Sequence, residues 1–233
     1  MKKRNEFISC IVAAGGSGRR MGAEKNKLFL ELCGKPVIAY TLMALERSEA
    51  VDEIILSARE EDMMELRRVA EENGILKLSA IVRGGAHRAA SVKAALSAVS
   101  EQATIVAVHD GARPLIEERD IRSVIEEAVQ NGAAAVGVRP KCTLKRADEN
   151  GFITETVDRS VMFEIQTPQV FRKDIILKAY DAEETILERA TDDCSLVERL
   201  GERIRVTEGS YRNIKVTTPE DIVIAEGLLE EKK

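Results

Sequence analysis

Residues 12–22 read Val-Ala-Ala-Gly-Gly-Ser-Gly-Arg-Arg-Met-Gly, and Lys27 follows five residues later. An apolar run from Phe7 to Ala14 leads straight into this turn. Glycines there let backbone N–H groups approach a ligand closely, and successive N–H groups form a concave surface for anions. The backbone of Ala13, Ala14, Gly15, Gly16 and Gly18, with the cations Arg19, Arg20, Lys25 and Lys27 close behind, suits a polyphosphate. Two better-known phosphate loops do not fit. No Gly-Lys-Ser/Thr triplet is present, so this is not a P-loop. In the dinucleotide pattern the third small residue would be Met21, with the next glycine one position late. A basic surface turn is the plainer alternative. Three glycines, two adjacent arginines and a lysine after a first strand favour the anion site.

Other segments carry groups of the same kind. His109-Asp110-Gly111-Ala112-Arg113-Pro114 closely follows an apolar strand pattern. Asp110 could meet a metal–phosphate assembly or a sugar hydroxyl, and Arg113 a phosphate, although an Asp and an Arg this close often simply pair. Gly84-Gly85-Ala86-His87-Arg88, with Ser91 beyond, reads as a second ligand-shaping turn. Thr156-Val157-Asp158-Arg159 and Gln166-Thr167-Pro168-Gln169 flank a return to the body of the fold, and Thr191-Asp192-Asp193 has the composition of a helix N-cap. Lys215 sits in the apolar stretch Asn213–Val216, where alternation could turn it towards a pocket.

The elements that must position these groups alternate. Strands are expected at Phe7–Ala13, Glu53–Ala58, Ala80–Val82, Thr104–Val108 and Ala134–Val138, with late strands at Ile204–Val206 and Asn213–Val216. Helices are expected at Pro36–Arg47, Glu60–Asn73, Ser91–Val99, Ile116–Asn131, Arg172–Leu187 and Pro219–Leu229. Met63, Met64, Leu66, Val69 and Ala70 supply the apolar face of the second helix, and Ile175, Ala179, Ala182 and Ile186 that of the fifth. Such alternation implies an α/β fold with a mostly parallel, Rossmann-like sheet. Ligands then bind beyond the carboxyl ends of the strands, so loops 14–27, 83–91 and 109–114 should converge. The rhythm breaks between Arg139 and Gln169. Thr143–Arg146 and Phe152–Val157 read as a hairpin turned through Asn150-Gly151. A protruding hairpin needs something to pack on, and a second copy of the chain is the simplest candidate. The organisation is thus one domain over 1–233 with an arm at 139–163 inserted in it.

Composition narrows the partners. A net charge of −5 over 233 residues gives no general attraction to nucleic acid or acidic membranes. Aromatic residues, at 3%, leave few platforms for stacking bases. No apolar run approaches membrane-spanning length. Four scattered cysteines without a C-x-x-C pair, and only two histidines, suggest reduced thiols of a cytoplasmic protein and no zinc or disulfide framework.

Taken in order, the Gly-rich loop with Arg20 and Lys27, Asp-Gly-Ala-Arg-Pro, Thr-Val-Asp-Arg, Thr-Pro-Gln, Thr-Asp-Asp and Asn-Ile-Lys-Val-Thr resemble the 2-C-methyl-D-erythritol 4-phosphate cytidylyltransferase family over nearly the whole chain. The resemblance implies a glycosyltransferase-A-like nucleotidyltransferase fold and CTP and methylerythritol phosphate as substrates. It also implies a divalent cation such as Mg2+, bound mainly through the CTP phosphates, and a homodimer joined by the arms. It assigns Arg20 and Lys27 to the transition state, and Arg159 and Lys215 to substrate positioning, with Arg159 supplied across the dimer. It places Asp110, Gly111, Arg113, Thr143, Thr167 and Thr191 about the sugar phosphate, and Gly85 and Ser91, with Asp110, on the nucleotide side. Three positions depart from the family pattern: Ala86 where an acidic residue is frequent, and Asn26 and Leu28 where Pro and Gln are common beside the lysine. A ribitol-5-phosphate cytidylyltransferase, or a non-catalytic nucleotide-binding regulator on the same fold, are the alternatives. Ala112 ahead of Arg113, where polyol relatives often carry a bulkier residue, leans towards the methylated acceptor.

Overall fold

The computed structural model describes residues 6–15 and 26–231. Gly16, Gly18 and Arg20 lie outside them. A seven-stranded sheet has the order β11-β7-β10-β6-β1-β4-β5. Its strands are β1 (Ile8–Ala13), β4 (Glu53–Ala58), β5 (Leu78–Arg83), β6 (Ile105–Asp110), β7 (Ala133–Val138), β10 (Glu164–Arg172) and β11 (Arg205–Glu208). All pair in parallel except β10, which runs antiparallel between β6 and β7. Two small hairpins complete the strands: β2 (Glu31–Leu32) with β3 (Lys35–Pro36), and β8 (Lys145–Ala147) with β9 (Ile153–Thr156).

Alternation along β1 shows why the sheet is buried on both sides. Ile8, Cys10 and Val12 pack with α1 (Val37–Arg47), α2 (Met63–Glu72) and α4 (Glu118–Asn131), whereas Ile11 faces α3 (Arg88–Leu96), α5 (Lys173–Tyr180), α6 (Glu184–Arg189) and α7 (Asp193–Glu198). The result is a three-layer α/β/α fold. Helix α8 (Pro219–Glu230) closes the chain over a smaller cluster of Leu32, Val37, Leu115, Val216 and Ala225. It begins with a capping box between Thr218 and Asp221 and with Pro219 in its first turn.

Several expectations are corrected. Strand β6 runs through His109 and Asp110, so these residues belong to the strand and do not follow it. The helix expected at Arg172–Leu187 is two, α5 and α6, separated at residues 181–183. Gln166-Thr167-Pro168-Gln169 lies inside the nine-residue strand β10, where the pairing register slips between Ile165 and Gln169. Residues 213–216 are not a strand: Asn213 N–H donates to Ser210 O and Ile214 N–H to Arg212 O, which are turn contacts. Met64 is 79% exposed and takes no part in the core face of α2. Hairpin strands β8 and β9 are exposed along their whole length.

Candidate active site

The site forms where the carboxyl ends of β1, β6, β7 and β11 meet the amino end of β10. Gly111 N–H donates to Ala13 O, which ties the ends of β6 and β1 together. A Cβ on Gly111 would stand 2.8 Å from Ile38 Cδ1 and 3.1 Å from Ala13 O, so a side chain there would crowd α1 and the end of β1. The second glycine turn is packed just as closely. A Cβ on Gly85 would come within 2.4 Å of Ala90 Cβ. Ser91 Oγ accepts from Gly85 N–H at 3.1 Å, and a Cβ built on Gly15 would lie 3.6 Å from the same oxygen. Loops 14–15 and 84–91 therefore adjoin, as the sheet topology predicts. His87 caps α3 by accepting from Ala90 N–H on Nδ1, which leaves Nε2–H to donate to Glu184.

Asp110 is the centre of the charged cluster. Lys215 Nζ lies 2.8 Å from Oδ2, Arg113 Nε 3.6 Å from Oδ2, and Arg88 Nε 3.6 Å from Oδ1. Burial alone would raise the carboxyl pKa, but Lys215 and Arg88, with Arg113, outweigh it and hold Asp110 well below the usual carboxylate range. Both arginines are fixed in turn. Arg113 Nη1 donates to Asn213 O at 2.7 Å. Arg88 grips the fully buried Asp193 with two bonds of 3.0 and 2.7 Å, and Tyr180 donates to the same carboxylate at 2.5 Å. Bidentate geometry of this sort fixes a guanidinium in place and leaves Arg88 Nε for Asp110. Lys27 opens a single 3-10 turn, Lys27–Phe29, and its Nζ donates to Val216 O at 2.7 Å, next to Lys215.

A neutral histidine supports Asp110 from beneath. Thr167 Oγ accepts from Asp110 N–H at 3.0 Å and lies 3.0 Å from His109 Nδ1. Nε2 faces the carbonyl oxygen of Arg113 at 3.4 Å, and a carbonyl only accepts, so the neutral ring carries its proton on Nε2 and Nδ1 accepts from the Thr167 hydroxyl. Burial pushes its pKa down to about 4, so the ring is uncharged at neutral pH. The Thr167 hydroxyl has given its one proton to His109.

Further amides lock the surrounding loops. Gln169 accepts from Asp193 and Cys194 N–H at the start of α7 and donates to Asp192. Asp192 also caps that helix by accepting from Ser195 N–H. Asn213, fully buried, donates to Gln166 Oε1 and Thr167 O at 3.0 Å each.

The structure thus brings together Lys27, Asp110, Gly111, Arg113, Thr167 and Lys215, with Ala13, Ala14, Gly15, Gly85 and Ser91 at the adjoining loops. Arg159, Thr143 and Thr191 are exposed. Arg159 donates to Lys141 O within the arm, at 2.6 Å. Sequence reasoning gave no role to Arg88, His109, Gln169 or Asn213. A signal existed for each, since all four stand inside the motifs named above.

A three-layer α/β protein with lysine and arginine gathered at the strand ends, and a neutral histidine turned inward, is built for transfer between phosphates, the work of a nucleotidyltransferase. The comparisons agree. The model of the 2-C-methyl-D-erythritol 4-phosphate cytidylyltransferase family matches residues 8–231. The protein of that name from Pelotomaculum thermopropionicum is 42% identical over 228 residues, covering 97% of this chain and 95% of its own. The one from Caldanaerobacter subterraneus is 44% identical over 222 residues, covering 94% and 97%. The crystal structure of 4-diphosphocytidyl-2C-methyl-D-erythritol synthase from Anaerococcus prevotii superposes with a TM-score of 0.85 at 33% identity, covering 97% of both chains. This chain belongs to the 2-C-methyl-D-erythritol 4-phosphate cytidylyltransferase family and is a nucleotidyltransferase, which disfavours the ribitol phosphate and non-catalytic readings. No helix among the described residues is long and apolar enough to cross a membrane.

Proposed function

We propose that the chain joins CTP to 2-C-methyl-D-erythritol 4-phosphate, giving 4-diphosphocytidyl-2-C-methyl-D-erythritol and pyrophosphate. An oxygen of the acceptor phosphate attacks the α-phosphorus of CTP, and the bond from that phosphorus to the bridging oxygen of the β-phosphate breaks. A phosphate monoester has a second pKa near ~6, so the nucleophile is already dianionic and needs no base. That agrees with a site whose buried histidine is neutral and bonded inward. The barrier is repulsion between two anions, and positioning with charge stabilisation lowers it.

The observation that carries this reading is the gathering of Arg88, Arg113 and Lys215 around the two carboxylates Asp110 and Asp193, with Lys27 Nζ on Val216 O beside Lys215, which leaves a cationic site at the strand ends. In this reading Lys27, with Arg20, stabilises the charge about the α-phosphorus. Lys215 and Arg113 hold the acceptor, while Asp110 accepts from its hydroxyls. Gly15, Gly85 and Ser91 shape the nucleotide side. A divalent cation such as Mg2+ belongs with the triphosphate. Among the described residues no three His, Cys, Asp or Glu side chains converge as a metal cage, and three cations engage Asp110. No step here is routed through that cation.

The arm supports a homodimer. Phe152, Ile153 and Val161 are 72%, 65% and 73% exposed, and an isolated two-stranded hairpin has too little core to stand unaided. A second copy covering the arm would bring Arg159, and Thr143 at its root, towards the partner's site. The test is a matrix of acceptors (methylerythritol phosphate, ribitol phosphate) against nucleoside triphosphates, with pyrophosphate release as the readout. The CTP and methylerythritol phosphate pair should give the highest kcat/KM, and Lys215→Ala should lower it on the order of a hundredfold. Equal turnover of both acceptors, or a Lys215→Ala variant with unchanged kcat/KM, would overturn the assignment.

A further inference from the structure

The residue before Lys27 holds the lysine's turn to two other elements through one side-chain amide. Asn26 is 2% exposed. Its Oδ1 accepts from Leu28 N–H at 3.1 Å and caps the turn that Lys27 opens. Its Nδ2 donates both to Ala14 O, just past β1, at 3.3 Å, and to Asp62 Oδ2, ahead of α2, at 2.8 Å. Arg59 Nε donates to that same Asp62 oxygen at 2.8 Å. Both amide protons and the amide oxygen are used, each on a different element. The lysine itself then reaches across to Val216 O.

We propose that Asn26 and Asp62 form a pin that positions Lys27 for the transfer step, and that Asn26 is a positioning residue for turnover without touching substrate. The inference rests on the role given to Lys27 under the proposed function. Its physical basis is that a buried amide bonded to three separate places fixes where the lysine's backbone starts. A proline at position 26 would fix φ but could reach neither Ala14 nor Asp62. This chain thus sets its lysine by hydrogen bonds.

Asn26→Ser separates the pin from the cap, because serine still accepts from Leu28 N–H but has no second donor for Ala14 and Asp62. Asn26→Asp also keeps the cap and turns the pin into carboxylate against carboxylate. Adding Asp62→Asn to Asn26→Asp restores a donor–acceptor pair with the roles exchanged. The measurement is steady-state kcat and KM for both substrates, with Lys27→Ala alongside and the melting temperature of every variant. A displacement of about an ångström from productive geometry can cost on the order of a hundredfold. Asn26→Ser should lower kcat roughly tenfold or more and leave KM for the acceptor within about twofold. Asn26→Asp should be worse, and the exchanged pair should recover at least part of the loss. If Lys27→Ala loses turnover while Asn26→Ser keeps it, or if the exchanged pair is no better than Asn26→Asp alone, the pin is not a positioning device. If Lys27→Ala itself keeps wild-type turnover, the role of the lysine falls first and the pin with it. A drop in melting temperature without a change in kcat would mark Asn26 as structural only, which also refutes the proposal.

Discussion

Replacing Asp110 by asparagine removes one negative charge from the midst of three positive ones and changes shape hardly at all. At an effective dielectric of about 20, charges at the observed 2.8 and 3.6 Å attract by roughly 6 and 5 kcal/mol before desolvation is counted. The net cost of deleting one partner of a buried charge pair is smaller, about 3–5 kcal/mol. Lys215 is 39% exposed, so solvent screens its share and the low end, about 3 kcal/mol, is the appropriate figure. For a chain of this size that is a fall in Tm of roughly 6–12 °C. The pH dependence has a definite sign. A carboxyl whose folded pKa is depressed contributes stability that is fully present above its unfolded value, near ~3.9, and is lost as pH falls through the folded one. The gap between wild type and Asp110→Asn should therefore be complete at pH 7 and begin to close only below about pH 4. Saturating inorganic phosphate should narrow it at pH 7 as well, because a bound anion supplies the missing charge. Thermal melts at both pH values, with and without phosphate, test all of this. A variant that melts with the wild type at pH 7 would refute the central place given to Asp110.

Two other outcomes follow from the same contacts. His109, with its pKa near 4, should show no ring titration by NMR between pH 5.5 and 8.5, and a midpoint near ~6.5 would disprove its buried neutral state; because the folded value is depressed, its contribution to stability is present above about 6.5 and is lost progressively down to about 4. Arg159→Ala and Lys27→Ala chains, each depleted in activity, should regain part of it when mixed and allowed to exchange subunits, since one site of the heterodimer then keeps both residues; no recovery after verified exchange would place Arg159 in its own chain's site.

Much of the architecture is legible because a doubly covered sheet demands continuous apolar runs. Glu53–Ala58 shows this cleanly, being a strand with its sequence-expected bounds and every residue buried. β10 escapes notice because Thr-Pro-Gln reads as a break. Proline is tolerated there because the register slips at that place and no ladder N–H is required of it. The opposite error occurs at Asn213–Val216, where alternating apolar residues mimic a strand. The chain instead buries Asn213 against Gln166 and Thr167, contacts between residues more than forty positions apart that local pattern cannot convey. The same holds for the site. Asp110, Arg113 and Lys215 stand out as charges in apolar surroundings, but Arg88 matters through Asp193, 105 positions away, and only packing of α3 against the α5–α7 layer reveals it.

The antiparallel strand explains why one element serves both the site and the arm. β7 ends at Val138 at the same edge of the sheet as Asp110, and there the chain departs into the arm. It must come back to the body at that edge, so the returning strand can only start there and run the other way. Glu164 pairs with Val138, and Gln169 with both Ala135 and Val108. The first residues of β10 are thereby delivered to the strand ends, where Thr167 meets His109 and Asp110, and Gln169 meets the start of α7. A parallel strand in this slot would enter from the far edge and place its first residues away from the chemistry. The arm's root is consequently fixed beside the site, while Phe152 and Ile153 beyond its polar turn stand exposed. The topology alone therefore sets the arm's root at the strand ends, which is where the proposed dimer requires it.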